Sequence, residues 1–316
     1  MGSPPRPRYR RGNTPEAGFA ADTADQCSSF EDYAFPSTIP LRRSQKERTP
    51  WFGAPVRTAC KSCLMSDIDE LIARMKRGLV ALAPDDARRF FHGTYMRTTE
   101  AVATEIGRGG FGDGQWVEQW DVAFASLYLD AFDQFSAGEA TSGPWRVAFA
   151  ATRGERLPPL RHVLLGINAH VNFDLPQALL LMIDDASFDD AELMARRAAD
   201  HEHIDQVLAS RLVDEDELLR EVEQPGDRGL LDRIQLLGRL GTKRFLTEAR
   251  RKVWRNAIEL SRARRRGPHE LQQGLAELER LAMQRVADLV RPRNVIFELA
   301  RRGFGVEIPT RNYPPT

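Results

Sequence analysis

The chain has little cysteine: three residues in 316, Cys27, Cys60 and Cys63, all in the first fifth of the sequence. They cannot staple the remainder into a disulfide framework, so a reducing compartment, the cytoplasm, is expected. Cys60 and Cys63 form one CxxC pair, but a zinc site needs a second pair or suitably spaced histidines, and none is nearby. Long apolar runs are also missing. The stretches around 163–165 and 178–183 are interrupted by Arg, His, Asn or Asp, well short of the ~18–20 residues of a membrane span. The basic N-terminus MGSPPRPRYRRGNTPEAGF has no apolar core of the kind a signal peptide needs.

Net charge is absent, with 45 basic side chains against 45 acidic. Nothing global draws the chain onto nucleic acid or an anionic membrane, and a small-molecule or lipid-like substrate is the expected partner. No GxxxxGK loop, GxSxG elbow or dinucleotide fingerprint set between a strand and a helix occurs, which disfavours ATP, serine-hydrolase and NAD chemistry. Few segments alternate with a period of two, so a sheet has little to be made from.

What is present is helical periodicity. Residues 1–65 are rich in Pro, Ser, Arg and Gly without periodicity and are expected to be a disordered tail. From Ser66 the character changes: Ser66 and Asp69 form a capping box, and Ile68, Leu71, Ile72 and Met75 share a helical face. A second helix is expected with Pro84 at its first position. A third, from about Gln115 to Ala137, carries Trp116, Trp120, Phe124, Tyr128 and Phe135 on its packed face. A short helix near Pro144, a long one from 159 to 184, another from Ala191 towards Glu223, and two from Pro268 and Pro292 complete an all-α, multi-helix orthogonal or antiparallel bundle over 66–304. Residues 305–316 are expected to be a C-terminal tail.

Charge is segregated along this series. Residues 184–232 hold 16 acidic and 5 basic side chains (net −11), and 243–266 hold 10 basic and 2 acidic (net +8). Two solvated, mutually attracting helix faces explain this better than phosphate binding, because few aromatics interleave the arginines.

The helix around His170 is apolar in every direction, which predicts burial on all sides. It nevertheless carries His162, Asn168, His170, Asn172 and Asp174. Burying such groups unpartnered costs on the order of 1–3 kcal/mol each, more for a carboxylate, so the cluster needs a closed hydrogen-bond network or a cation. His170 and Asp174 stand one turn apart on one face, with His162 two turns earlier and Gly166 clearing the space between. Asn168 and Asn172 pair on the neighbouring face and are candidates to hold a cofactor, and Pro176 predicts a kink beside them. His201 and Asp205 repeat the His-x-x-x-Asp spacing on the next helix. The expected metal ligands are therefore His162, His170, Asp174, His201 and Asp205, for a divalent zinc, iron or manganese ion. His92, Arg97 and Asp121 are the candidate catalytic groups, Arg97 as partner of an anion. A purely structural network is the competing expectation for each of these residues.

The pieces HGTYMRTTEAV (92–102), WVEQWDVAFASLYLDAF (116–132), PLRHVLLGINAHVNFDLPQAL (159–179) and RRAADHEHIDQVL (196–208) together resemble an uncharacterised bacterial group, domain-of-unknown-function family 5995. The likeness spans roughly 66–300 and is most specific at Asn-Ala-His-Val-Asn-Phe-Asp-Leu-Pro, residues 168–176. It implies a helical domain, not a known reaction. The two His-x-x-x-carboxylate pairs also look locally like those of the zinc-dependent phospholipase C and S1/P1 nuclease families, which hold three zincs inside a helical bundle. Those enzymes are secreted and use the amino group of a mature N-terminal Trp, whereas no signal peptide is expected here, so at least one of their three metals is not carried over by the likeness.

The resulting expectation is a metal-dependent hydrolase of an ester or phosphoester, with metal-bound water as nucleophile. An iron- or haem-dependent oxygenase and a non-catalytic helical ligand-binding protein are the alternatives. Glu-x-x-His motifs of di-iron bundles are absent.

Overall fold

A computed structural model describes residues 66–154, 157–221, 238–291 and 303–310, with backbone alone at 205, 209–221 and 238–246. The expected tail at 1–65, its three cysteines and the expected helix at 292–302 lie outside the described residues. Among the described residues the architecture is all-α, without a strand.

The helices are α1 (Asp67–Ala81), α2 (Arg88–Gly107), α3 (Gly114–Ser136), α4 (Gly143–Ala150), α5 (Pro159–Ala169), α6 (Leu175–Met182), α7 (Ala191–Glu221), α8 (Gly238–Arg266) and α9 (Pro268–Val290). The capping box forms as the sequence predicts. Ser66 Oγ accepts from Asp69 N at 3.3 Å and the Asp69 carboxylate accepts from Ser66 N at 3.4 Å, while Ile68, Leu71, Ile72 and Met75 are buried. The start of α2 differs from expectation. Asp86 accepts from Arg88 N at 2.9 Å and grips the Arg88 guanidinium, so the chain turns over 83–87 and Pro84 precedes the helix instead of opening it.

The centre of the fold is a broken rod. The stretch expected as one helix over 159–184 is α5, then a π-helical turn (His170–Asp174), then α6. The turn is closed by Leu175 N donating to the His170 carbonyl, an i to i+5 bond. The irregularity thus sits on the polar cluster itself, just ahead of Pro176, and no residue at 176 has to donate into it. Around the rod stand α2, α4 and α9 against α5, and α3 and α8 against α6. This explains why 159–182 is apolar all round. The core built there includes Trp120, Tyr128, Trp145, Leu165, Leu175 and Leu179, all nearly inaccessible to solvent.

The segment 303–310, most of which was expected to belong to a tail, is docked. Phe304, Val306 and Ile308 are buried and alternate with exposed Glu307 and Pro309, a strand-like period too short to stand out in sequence. The partners it meets are side-chain amides. Phe304 O accepts from Asn168 Nδ2 (3.2 Å) and Asn172 Nδ2 (3.1 Å), and Val306 N donates to Asn172 Oδ1 (3.0 Å). Asn256 on α8 repeats the pattern, donating to Val306 O and accepting from Ile308 N, both at 3.0 Å. Gly305 permits the approach, because a Cβ there would lie 2.8 Å from Ala249 Cα. Gly305→Ala is expected to cost about 1–3 kcal/mol by overpacking, read as a lower urea midpoint with an unchanged slope.

The segregated charges meet one another. Arg264 donates to Asp185 (2.6 Å) and to the carbonyls of Leu180 and Ile183 at the end of α6. Arg265 pairs with Asp189 at 2.9 Å. The acidic turn after α6 is thus held by the basic end of α8. No described helix is long and apolar enough to cross a membrane.

Candidate functional site

The π turn brings His170 and Asp174 together: His170 Nδ1 and Asp174 Oδ2 are 2.8 Å apart, and each residue is 2 % exposed. Trp145, from α4, donates its Nε1–H to the same Oδ2 at 2.8 Å. Two N–H donors on one oxygen favour the carboxylate, whereas burial, the larger effect, pushes the Asp174 carboxyl up and the His170 imidazole down. With Nδ1–H committed to Asp174, the lone pair of His170 lies on Nε2, which has no hydrogen-bond partner among the described residues.

Aromatic rings enclose this imidazole. Phe124 stacks on it with centroids 3.6 Å apart and planes 4° apart, and Tyr95 meets it edge-on at 4.5 Å. Phe91, Tyr128 and Trp145 complete the wall at 5.9–6.2 Å. Tyr95 lies within electrostatic range of both Asp121 and Asp174, and burial first, then those carboxyls, raises its hydroxyl pKa. The Tyr95 hydroxyl and Asp121 Oδ2 are also buried without a hydrogen-bond partner among the described residues. Burial alone pushes Asp121 up to about 7, so near neutrality its carboxyl exists in both donor and acceptor forms.

The other sequence candidates go elsewhere. Gly166 does clear space, but the Phe91 ring fills it, since a Cβ at 166 would fall 2.2 Å from that ring. His162 consequently stacks on Phe90 at 6.0 Å, and burial, then Arg161, pushes it down to about 4. His92 is saturated: Nε2–H donates to the Met75 carbonyl at 2.8 Å, so Nδ1 accepts the Tyr128 hydroxyl at 2.7 Å. Tyr128→Phe is therefore expected to cost about 1–3 kcal/mol by orphaning that nitrogen, measurable by chemical denaturation. Arg97 lies along its own helix, with a guanidinium nitrogen 3.4 Å from Thr94 Oγ1.

Asn168 and Asn172, candidates for holding a cofactor, instead spend amide groups on the Phe304 and Val306 peptides, although Asn168 Oδ1 stays without a hydrogen-bond partner among the described residues. His201 packs between Trp120 (5.3 Å) and Trp254 (5.4 Å), and the Asp205 side chain lies outside the described residues. Among the described residues no three His, Cys, Asp or Glu side chains are grouped as ligands of one ion.

A family model described as a family of unknown function, DUF5995, matches residues 68–292, more than half of the chain. The chain belongs to this family. No curated protein and no solved structure is significantly similar to it. The DUF5995 match runs from α1 to just beyond α9 and takes in the rod, the dyad and every ring of its wall.

Sequence reasoning on this DUF5995 domain missed Trp145 and Asp200. Trp145 stands in an eight-residue helix with no pattern to single it out. Asp200 accepts from the backbone N–H groups of Gly112 (2.7 Å) and Asp113 (3.0 Å), fixing the loop before α3. The glycine-rich RGGFGDG loop was the available signal, since its exposed amides need an acceptor.

Proposed function

We propose that this DUF5995 domain is a hydrolase of small uncharged esters, with His170 as the group that takes the proton from the attacking water. The observation that supports it most is the His170–Asp174 pair at 2.8 Å with Nε2 unpartnered among aromatic rings. Asp174 holds the tautomer and would stabilise the imidazolium formed when Nε2 accepts a proton. The Tyr95 hydroxyl, on a ring that meets His170 edge-on at 4.5 Å, is a donor suited to the oxygen that gains charge, with the Asp121 carboxyl within electrostatic range of it. Water oxygen bonds to the ester carbonyl carbon as its proton passes to Nε2, and that proton goes to the alkoxy oxygen as its bond to the carbonyl carbon breaks, which releases the alcohol and the acid. An aromatic wall disfavours a doubly charged phosphoester, because desolvating that charge has no compensating cation in the wall. In this reading the nucleophile is activated by a base, an alternative to the expected ion between two His-x-x-x-Asp pairs, of which the Asp205 side chain lies outside the described residues.

The test is a panel of uncharged p-nitrophenyl esters of increasing acyl length. Asp174→Asn is expected to lower kcat/KM by about 10²–10⁴, and His170→Gln to abolish turnover, with EDTA without effect. Turnover by His170→Gln equal to wild type, or loss of wild-type turnover on chelation, contradicts the proposal.

A second reading has its own support. A carboxylate accepting from both His170 and Trp145 is also how proteins orient an imidazole that ligates a metal or haem iron through its other nitrogen. Elemental analysis and an absorption spectrum of the purified protein separate the two: bound iron or colour lost in His170→Leu favours the ligand role.

A further inference from the structure

A π turn holds one residue more than an α turn needs, and such turns persist where their surroundings fix them. The turn carrying the dyad is fixed from outside by the C-terminal segment. Asn168, just before the turn, and Asn172, inside it, both donate to one acceptor, the Phe304 carbonyl, at 3.2 and 3.1 Å. Asn172 Oδ1 closes the ring by accepting from Val306 N at 3.0 Å. The two amides flank His170 at positions −2 and +2, so a single stretch of extended backbone bridges the residues on both sides of it. The next rung, Asn256 with the Val306 carbonyl and the Ile308 amide, uses the same chemistry at 3.0 Å but belongs to α8, and its hydrogen bonds run to the segment instead of to the turn.

We propose that the docked segment 304–306 sets the geometry of the His170–Asp174 pair, with Asn172 and the Val306 peptide as positioning groups. This rests on the dyad being the working site, and it ties the competence of that site to whether the C-terminal segment is seated. Segment and turn form one unit: release of the Val306 amide frees Asn172, and with it the π turn and the His170 ring.

Val306→Pro in the full-length chain removes the one N–H that Asn172 Oδ1 accepts, and Ile308→Pro removes the equivalent N–H on Asn256. The readout is solvent exchange of the His170 Nδ1 proton in the low-field NMR spectrum. Val306→Pro is expected to speed that exchange at least tenfold, with Ile308→Pro within about twofold of wild type. If the two variants are alike, whether both unchanged or both fast, the segment is only structural and the proposal is overturned. Should Val306→Pro not fold, Asn172→Ser against Asn256→Ser makes the same comparison. A dyad proton that responds as expected in a protein that cleaves no ester would keep this coupling and remove the hydrolase assignment instead.

Discussion

Lowering the pH from 7 to 5 is expected to reduce the melting temperature of the domain, most steeply below about pH 6.5. Four imidazoles, His92, His162, His170 and His201, are buried. Burial is the largest cause in each case and pushes every one of them below its ordinary value, His162 to about 4. In the unfolded chain these rings take protons near pH 6.5, while in the fold they do so only at lower pH. Between those limits the unfolded state binds more protons, so stability falls as pH falls. The contribution is fully present above about pH 6.5 and disappears as pH drops through the folded values. Each such ring steepens the loss by up to about 1.4 kcal/mol per pH unit. Asp121 and Asp174 act in the opposite sense, since burial raises both and the folded state holds their protons better. Four against two leaves a net loss on the acid side. Calorimetry between pH 5 and 8 checks it, and a flat profile would mean that the rings are charged or hydrated in the fold.

Asp121→Asn is expected to stabilise the protein while impairing it. The folded carboxyl stands at about 7 against 3.8 for an unburied one, a gap of ~3 units that corresponds to on the order of 4 kcal/mol. Because the folded value is raised, the wild-type carboxyl costs nothing below pH 3.8, and the penalty grows until the pH passes 7. The amide cannot ionise, so the gain is expected to be absent at pH 4 and close to full at pH 8. Denaturant titrations of both proteins at the two pH values measure it. If the proposed ester hydrolysis draws on the Tyr95–Asp121 side of the wall, turnover is expected to fall with the same substitution, because the carboxyl donor beside Tyr95 is lost. A residue whose replacement strengthens the fold and weakens the activity is a mark of a working site. Equal stability of the two proteins at pH 8 would mean that Asp121 is ionised and compensated.

Much of the fold was legible because it is written in 3.6-residue periodicity and local capping. Ser66 with Asp69, the apolar face Trp116–Trp120–Phe124–Tyr128, and the all-round apolarity of 159–182 each dictate one structural outcome. The pairing of His170 with Asp174 was legible for the same reason, since i and i+4 stay adjacent within a single turn. What was not legible depends on contacts between distant segments. Gly166 announces an open space without saying that Phe91 enters it. Asn168 and Asn172 announce buried amides that need partners, but the partners lie at 304–306, more than 130 positions away. The same holds for Asp200, whose distant donors are the backbone amides of Gly112 and Asp113, and for Trp145, which reaches Asp174 from a helix too short to show a pattern.

A base at His170 requires the ring proton on Nδ1, towards Asp174, and a bare electron pair on Nε2. A long-range ¹H–¹⁵N correlation spectrum of the histidine rings at pH 7.5, with His170→Gln for assignment, reads this directly. The expected spectrum shows His170 protonated at Nδ1 alone and His92 protonated at Nε2 alone. A His170 proton found on Nε2 would contradict the assignment of that nitrogen as the base.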